Sequence, residues 1–284
     1  MSELRPPVLR SKLRRPVSMF ELVERTRLID RLATSTTAIC VVTAPPGYGK
    51  TTLVARAIDR FETPTAWLTI DVADDTPVRF WSHVAASLVD VGVDTDAALA
   101  PLLDGRTDLA IDQLIAAVEV HPESIVLVLD DVHELADERV LVGLERFLAT
   151  PPAGLRSVLT TRHDIDLGLA RLRLGGDVLD LGATDLAFTL NEGREALATE
   201  LEVGLLDDAS ADRLVSELEG WPAGLRLAQL ALRTAPAASE RDVLDAVSGA
   251  SPEVADYLAA EVIGSSDTEL RDFLLDTSIL LDLT

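Results

Sequence analysis

The stretch TAPPGYGKTT, Thr43–Thr52, decides how the rest of the chain is read. It matches the pattern G-x-x-x-x-G-K-[ST] at every position but the first, where Ala44 stands in place of glycine. In such a loop successive backbone N–H groups wrap a phosphate, and the helix that follows turns its positive end toward it. Pro46, Gly47, Tyr48, Gly49, Lys50, Thr51 and Thr52 are therefore the candidate nucleotide-binding residues. Gly47 and Gly49 let the backbone approach closely. Lys50 is placed to reach the β- and γ-phosphates, and the Thr51 hydroxyl to bind Mg²⁺. Alanine is small enough for the first position provided that its φ is negative. An apolar strand, TTAICVVTA, precedes the loop and a helical pattern, GKTTLVARAIDRF, follows it, which favours a phosphate loop over a chance Gly-rich turn.

Lys50 carries a second signal. The chain has only two lysines, Lys12 and Lys50, among 25 lysines and arginines together. A lysine kept where an arginine-rich sequence could have placed a guanidinium fits a site with room only for a compact charge.

Two further motifs complete the pattern. IVLVLDDVHEL is an apolar strand ending in acid, which puts carboxylates at the carboxyl edge of the sheet. Asp130 is the candidate Mg²⁺ ligand beside Thr51, and Asp131 the group that orients or deprotonates an attacking water. The alternative is a pair of surface acids capping a loop. In VLTTRHD, Arg162 ends another strand, where it can touch a γ-phosphate; the alternative is an ordinary exposed arginine. His133 and His163 follow these residues without metal spacing, and His133 reads as a supporting hydrogen bonder. His83 and His121 carry no signal. The strand TAWLTID lies between the phosphate loop and the acidic strand, an insertion that resembles the ATPase branch containing AAA+ proteins. No NKxD-like guanine reader is present, so adenine is the expected base.

The alternation of strands and helices predicts an α/β fold: a three-layer P-loop NTPase with a parallel sheet, AAA+-like, joined by right-handed crossovers. After about Phe188 only helical periodicity remains, which predicts an all-helical domain. The expected divisions are an N-terminal arm over 1–19, the P-loop domain over 20–190, a helical domain over 191–265 and the start of a further domain over 266–284. A helix is expected within 20–34, one opening at Pro77, and a loop with room for a short helix over 90–108. The final apolar TSILLDLT reads as a chain that stops inside a domain.

Composition bounds the function. The 284 residues carry a formal net charge of −23, which opposes binding to bare nucleic acid by the whole body. Arg5, Arg10, Lys12, Arg14 and Arg15 form a basic start, read as a solvated arm rather than a phosphate patch. Cys40 is the only cysteine, so no internal disulfide exists; it lies in the apolar run AICVV and reads as core. No leader-like segment and no apolar run of about 20 residues is evident, and a cytoplasmic protein is expected.

Several stretches together resemble a known family. KLRRP, LVERTRLIDRL, VVTAPPGYGKTTLVA, AWLTIDVADDTPVRFWSHVAASL, VLDDVHEL, LTTRHD, DLAFT and EGWPAGLRLA are similar to the MalT-like signal-transducing ATPases, the STAND class, which stand at the front of large LuxR-type transcriptional regulators. The resemblance implies that Lys50 and Thr51 are phosphate-loop residues, Asp130 and Asp131 the Walker B acids, and Arg162 a sensor. It implies that Pro222 packs on the adenine and that Arg25 lies on the adenine side, although Pro222 also reads as an ordinary helix-start proline. In the family a winged-helix domain follows, of which DFLLDTSILLDLT resembles the first helix. The family's sensor repeats and its C-terminal DNA-binding helices are not found here, so DNA would be reached only through that missing domain.

The expectation is a nucleotide switch: ATP or ADP with Mg²⁺, slow hydrolysis, self-association of the full-length parent in its ATP state, and no membrane partner. The alternatives are a metabolic P-loop ATPase or kinase and a nucleotide-free interaction module. The first predicts rapid turnover without a partner, the second no nucleotide binding.

Overall fold

The computed structural model describes residues 8–17 and 23–234. The helical periods expected beyond residue 234, the domain start at 266–284, and Arg5 lie outside the described residues. By their contacts the described residues form two compact units, one containing Arg25–Pro45 and Lys50–Leu186, the other containing Pro46–Gly49 and residues 187–234.

In the first unit the order is α1 (Thr26–Thr34), β1 (Ile39–Thr43), α2 (Lys50–Ala57), β2 (Thr65–Thr69), α3 (Pro77–Val89), α4 (Asp96–Leu103), α5 (Thr107–Glu119), β3 (Ile125–Asp130), α6 (Glu138–Ala149), β4 (Leu155–Thr161), α7 (Ala170–Gly175), β5 (Val178–Leu181) and α8 (Ala183–Leu186). The five strands form one sheet in the order β2-β3-β4-β1-β5, with every neighbouring pair parallel. This is the parallel P-loop sheet that the strand–helix alternation predicts. The chain leaves β1 toward β2 at one edge and leaves β4 toward β5 on the opposite side. The carboxyl ends of β1 and β4 therefore flank a point where the strand order reverses, the place where open parallel sheets bind ligands. The register Thr43↔Thr161 ends both strands level, so the segments after them start side by side.

All six residues of β3, IVLVLD, are buried, which is why that strand reads as a continuous apolar run rather than an alternating one. Beside α3 and α5 lies α6, whose buried Val140, Gly143, Leu144, Phe147 and Leu148 follow helical spacing. Asp137 caps its start by accepting from the Arg139 nitrogen at 2.8 Å. Few aromatics serve the core, yet three meet there: Trp81 lies edge-on to Phe80 at 5.0 Å and tilted to Phe147 at 5.6 Å. Gly143 makes room for them, because a Cβ at that position would meet the Trp81 indole at 3.2 Å. Cys40 is fully buried, and burial pushes its thiol up to about 12, as befits a core residue.

Two sequence expectations need correction. Helix α1 starts at Thr26, because Arg25 is buried in a non-helical conformation and donates to the Leu186 carbonyl; residues 20–22 of the expected helix lie outside the described residues. The basic arm is not simply solvated. Lys12 is buried, its Nζ pairs with Asp71 Oδ1 at 2.7 Å and with Asp74, and its carbonyl accepts from the Thr69 nitrogen at 2.9 Å. Leu9 N–H donates to His83 Nε2 at 3.1 Å, so a neutral His83 carries its proton on Nδ1, which lies 3.1 Å from Asp74 Oδ1. The arm is stapled beside edge strand β2 by these polar groups and by buried Leu13, which covers an edge that would otherwise be free to pair.

In the second unit α9 (Leu190–Ala196), α10 (Ala198–Glu202), α11 (Asp208–Glu217) and α12 (Pro222–Thr234) are the described helices. Thr189 and Glu192 form a reciprocal capping box at the start of α9. Leu197, Ala211, Val215 and Leu225 form one small core and Leu214, Ala228 and Leu232 another. Buried Glu200 is paid for by Arg233 Nε at 2.8 Å and Gln229 Nε2 at 3.1 Å.

Candidate nucleotide-binding site

The loop after β1 has the backbone its sequence requires. Gly47 and Gly49 have φ of +81° and +75°, a region open to glycine and strained for other residues. Ala44 has no positive φ, so alanine fits the first position; its N–H donates to the Thr161 carbonyl at 3.2 Å and continues the β1–β4 ladder. Lys50 opens α2 and is buried, with Nζ donating to the carbonyls of Ala44 at 2.7 Å and Pro45 at 3.3 Å. Those neutral carbonyls are a weak counterpart for an ammonium, and a phosphate oxygen is a stronger one.

At the end of β3 the motifs converge. Thr51 Oγ1 donates to Asp130 Oδ1 at 2.9 Å, joining residues 79 apart in sequence. The Thr160 hydroxyl donates to the same oxygen at 2.7 Å. The other carboxylate oxygen, Asp130 Oδ2, is buried with no hydrogen-bond partner. Burial pushes the Asp130 carboxyl up to about 6, assisted by the Asp131 charge and opposed by Thr160, Thr51 and Lys50. A buried oxygen in need of a cation, next to a hydroxyl, fits a hydrated Mg²⁺ bound mainly by phosphates and water. The described residues hold no cluster of three or more His, Cys, Asp or Glu, so an all-protein metal cage is not built here.

Asp131 has φ +64° and ψ +47°, left-handed for a non-glycine residue, and its N–H donates to Thr160 Oγ1 at 2.9 Å. Such strain persists only where surrounding contacts impose it, and it recurs at functional sites. Arg162 follows β4 directly. The His133 side chain is 5% exposed, its Nδ1 is 3.8 Å from Asp131 Oδ1, and neither ring nitrogen has a hydrogen-bond partner. Burial, with Arg162, Lys50 and His163 adding positive charge, lowers His133 to about 4. The ring is therefore neutral at pH 7. A cleft of about 790 Å³ opens at the carboxyl ends of β1, β4 and β5, lined among others by Thr43, Ala44, Pro45, Arg162 and Gly182. That is the size of a small-molecule site.

Within the second unit, the loop tip Pro46–Gly49 is gripped by the start of α12. Trp221 Nε1 donates to the Pro46 carbonyl at 3.2 Å and the Ala223 nitrogen to the Gly47 carbonyl at 3.1 Å. Pro222 is the first residue of α12. Arg25 is committed to the Leu186 carbonyl as described above.

Thr160 and Trp221 were not singled out from the sequence. Thr160 left a weak signal, as a hydroxyl in the apolar strand SVLTT. Trp221 stood in a quoted motif, but the pattern gave no reason to prefer it to Pro222.

Comparison with known proteins bears on the fold and the family. A family described as an AAA domain matches residues 32–166. The HTH-type transcriptional regulator MalT of Cronobacter sakazakii is 30% identical over 275 residues, covering 95% of this chain and 30% of that protein. The serine/threonine-protein kinase PknK of Mycobacterium tuberculosis is 32% identical over 282 residues, covering 96% of this chain and 25% of that protein. The chain thus spans about a quarter to a third of these relatives. A Walker-type ATPase of Pyrococcus abyssi shares the fold, with a TM-score of 0.57 at 11% identity over 92% of this chain and 80% of its own. No helix among the described residues is long and apolar enough to cross a membrane. Phosphate loop, acidic strand and helical unit, together with similarity along nearly the whole chain, support a MalT-like P-loop ATPase module.

Proposed function

We propose that the chain is an ATP/ADP switch of the STAND class, hydrolysing ATP slowly, and that it serves a LuxR-type transcriptional regulator. The observation that carries this reading is the Thr51–Asp130 pair at 2.9 Å beside the unpartnered Asp130 Oδ2. On this reading Lys50 leaves the Ala44 and Pro45 carbonyls for the β- and γ-phosphates. Thr51 and Asp130 hold Mg²⁺, which when bound screens the charge on the phosphates. Asp131 orients the attacking water and accepts its proton, and Arg162 senses the γ-phosphate. Arg25 frames the adenine side by fixing the start of α1 to Leu186, and Pro222 contacts the base.

The similarity to both a transcriptional regulator and a protein kinase supports a portable regulatory module over a metabolic enzyme. DNA recognition would belong to another part of the regulator, and ATP-dependent self-association to the full-length protein. A switch requires that ATP and ADP differ in affinity for two conformations. The test compares ATP turnover and limited proteolysis in Mg-ATP and Mg-ADP. Slow turnover with two distinct cleavage patterns supports the switch. Rapid, partner-free turnover with one pattern would point to a metabolic ATPase instead.

A further inference from the structure

The grip of α12 on the loop tip has a consequence for the direction of its amides. In a trans peptide the C=O and the following N–H lie in one plane and point opposite ways. No cis peptide occurs among the described residues. Trp221 and Ala223 hold the carbonyls of Pro46 and Gly47. They thereby fix the N–H groups of Gly47 and Tyr48, which share those two peptide planes and point away from α12.

The turn that delivers Trp221 is built to hold it. Glu219 and Gly220 both have positive φ, +51° and +67°. Among the described residues Glu219 and Asp131 are the only non-glycine residues with positive φ. The Gly220 nitrogen donates to the Val215 carbonyl at 2.8 Å and its carbonyl accepts from the Phe188 nitrogen at 2.8 Å. The Trp221 nitrogen donates to Leu218 at 2.8 Å. These three backbone bonds staple the turn before the indole reaches the loop.

We infer that Trp221 is a positioning residue for the nucleotide: its indole N–H, with the Ala223 amide, pre-orients the Gly47 and Tyr48 amides toward a bound phosphate. This makes anion affinity in the loop depend on the start of α12, and it rests on the reading of the loop as a nucleotide site. It also explains why the motif carries a tryptophan, since a purely apolar side chain could fill the space but could not hold the carbonyl.

The test uses the full chain with Trp221→Phe, which keeps an aromatic ring and removes the donor. Benzothienylalanine at position 221, which keeps the indole shape without the N–H, serves as the second variant. Trp67→Phe is the control, because the Trp67 indole donates to Thr69 Oγ1 at 2.7 Å on β2. Hydrogen exchange at the Gly47 and Tyr48 amides is followed without nucleotide, and ADP affinity by calorimetry. Both position-221 variants are expected to speed exchange at the Gly47 amide, whose peptide plane the indole holds through the Pro46 carbonyl, and to weaken ADP binding about three- to tenfold, the worth of one hydrogen bond, with the control unchanged. Unchanged loop exchange in both variants would overturn the inference, as would faster exchange with full ADP affinity. A wild-type chain that binds no nucleotide would instead count against the functional reading, and loop exchange alone would then decide whether Trp221 orders the loop.

Discussion

Thr160 Oγ1 donates to Asp130 Oδ1 at 2.7 Å and accepts from the Asp131 nitrogen at 2.9 Å, so one hydroxyl fixes both acids at the end of β3. Thr160 is fully buried, and water cannot replace it. Thr160→Val keeps the shape and removes both bonds. It is expected to destabilise the fold by about 1–3 kcal/mol, read by denaturant unfolding, because the carboxylate and the amide lose a buried partner together. ATP turnover is expected to fall as well, since the left-handed Asp131 loses the contact that holds its backbone.

Asp130 is held at a cost. Its folded pKa of about 6 lies above the ordinary 3.8, so the fold prefers the protonated form. The stability from that preference is fully present below about pH 4 and is lost as the pH rises through 6. A shift of that size corresponds to about 3 kcal/mol. Asp130→Asn is therefore expected to be about 1–3 kcal/mol more stable than the wild type at pH 7 without Mg²⁺, the lower figure applying where the amide Nδ2 finds no partner. The gain should shrink as the pH falls toward 4, and Mg²⁺ should no longer strengthen nucleotide binding. Thermal melts across pH, with and without Mg²⁺, check all three points.

The arm cluster predicts the opposite pH limb. Burial would raise the Asp74 carboxyl, but hydrogen bonds from His83, Lys12 and the Asp71 backbone outweigh it and hold the group at about 2. Its stabilisation is present above the ordinary 3.8 and lost as the pH falls through about 2. Lys12→Ala leaves a buried carboxylate without its cation and is expected to cost about 3 kcal/mol or more at pH 7. Unfolding of the variant should also lose much of the wild-type pH dependence between pH 4 and 2. An arm that merely floated in solvent would give a change within about 0.5 kcal/mol.

Gly220→Ala tests the turn before α12. The position has φ +67°, and a Cβ there would approach the Phe188 nitrogen to 2.9 Å. The substitution is expected to destabilise the helical unit by about 2 kcal/mol or more, through backbone strain and the loss of the Phe188–Gly220 bond. Chemical denaturation followed by helix signal measures it.

The parts of this molecule that were legible in the sequence depend on local or near-local rules. The apolar run IVLVLD states a buried strand, Pro77 states a helix start, and the spacing of Gly47, Gly49, Lys50 and Thr51 states a phosphate loop. What stayed hidden depends on partners far along the chain. Lys12 looked like one more solvated cation because Asp74 lies 62 residues away. Arg25 looked like part of a helix because the carbonyl that holds it belongs to Leu186, 161 residues on. Trp221 reaches Pro46 across 175 residues, and no periodicity records such a bond. Within 90–108 the room left for a short helix is filled by α4, but its bounds were not legible because Pro101 stands inside that helix, where local rules disfavour it.

The most direct test of the account is to identify the nucleotide that the chain itself carries. Wild type and Lys50→Ala, purified side by side, would be denatured and the released small molecules separated by chromatography, followed by titration of the refilled proteins with Mg-ATP and Mg-ADP. The account predicts an adenine nucleotide, ADP above all, in the wild type and none in Lys50→Ala, with binding of both nucleotides restored only to the wild type. A wild-type chain that releases nothing and binds neither ATP nor ADP would contradict it.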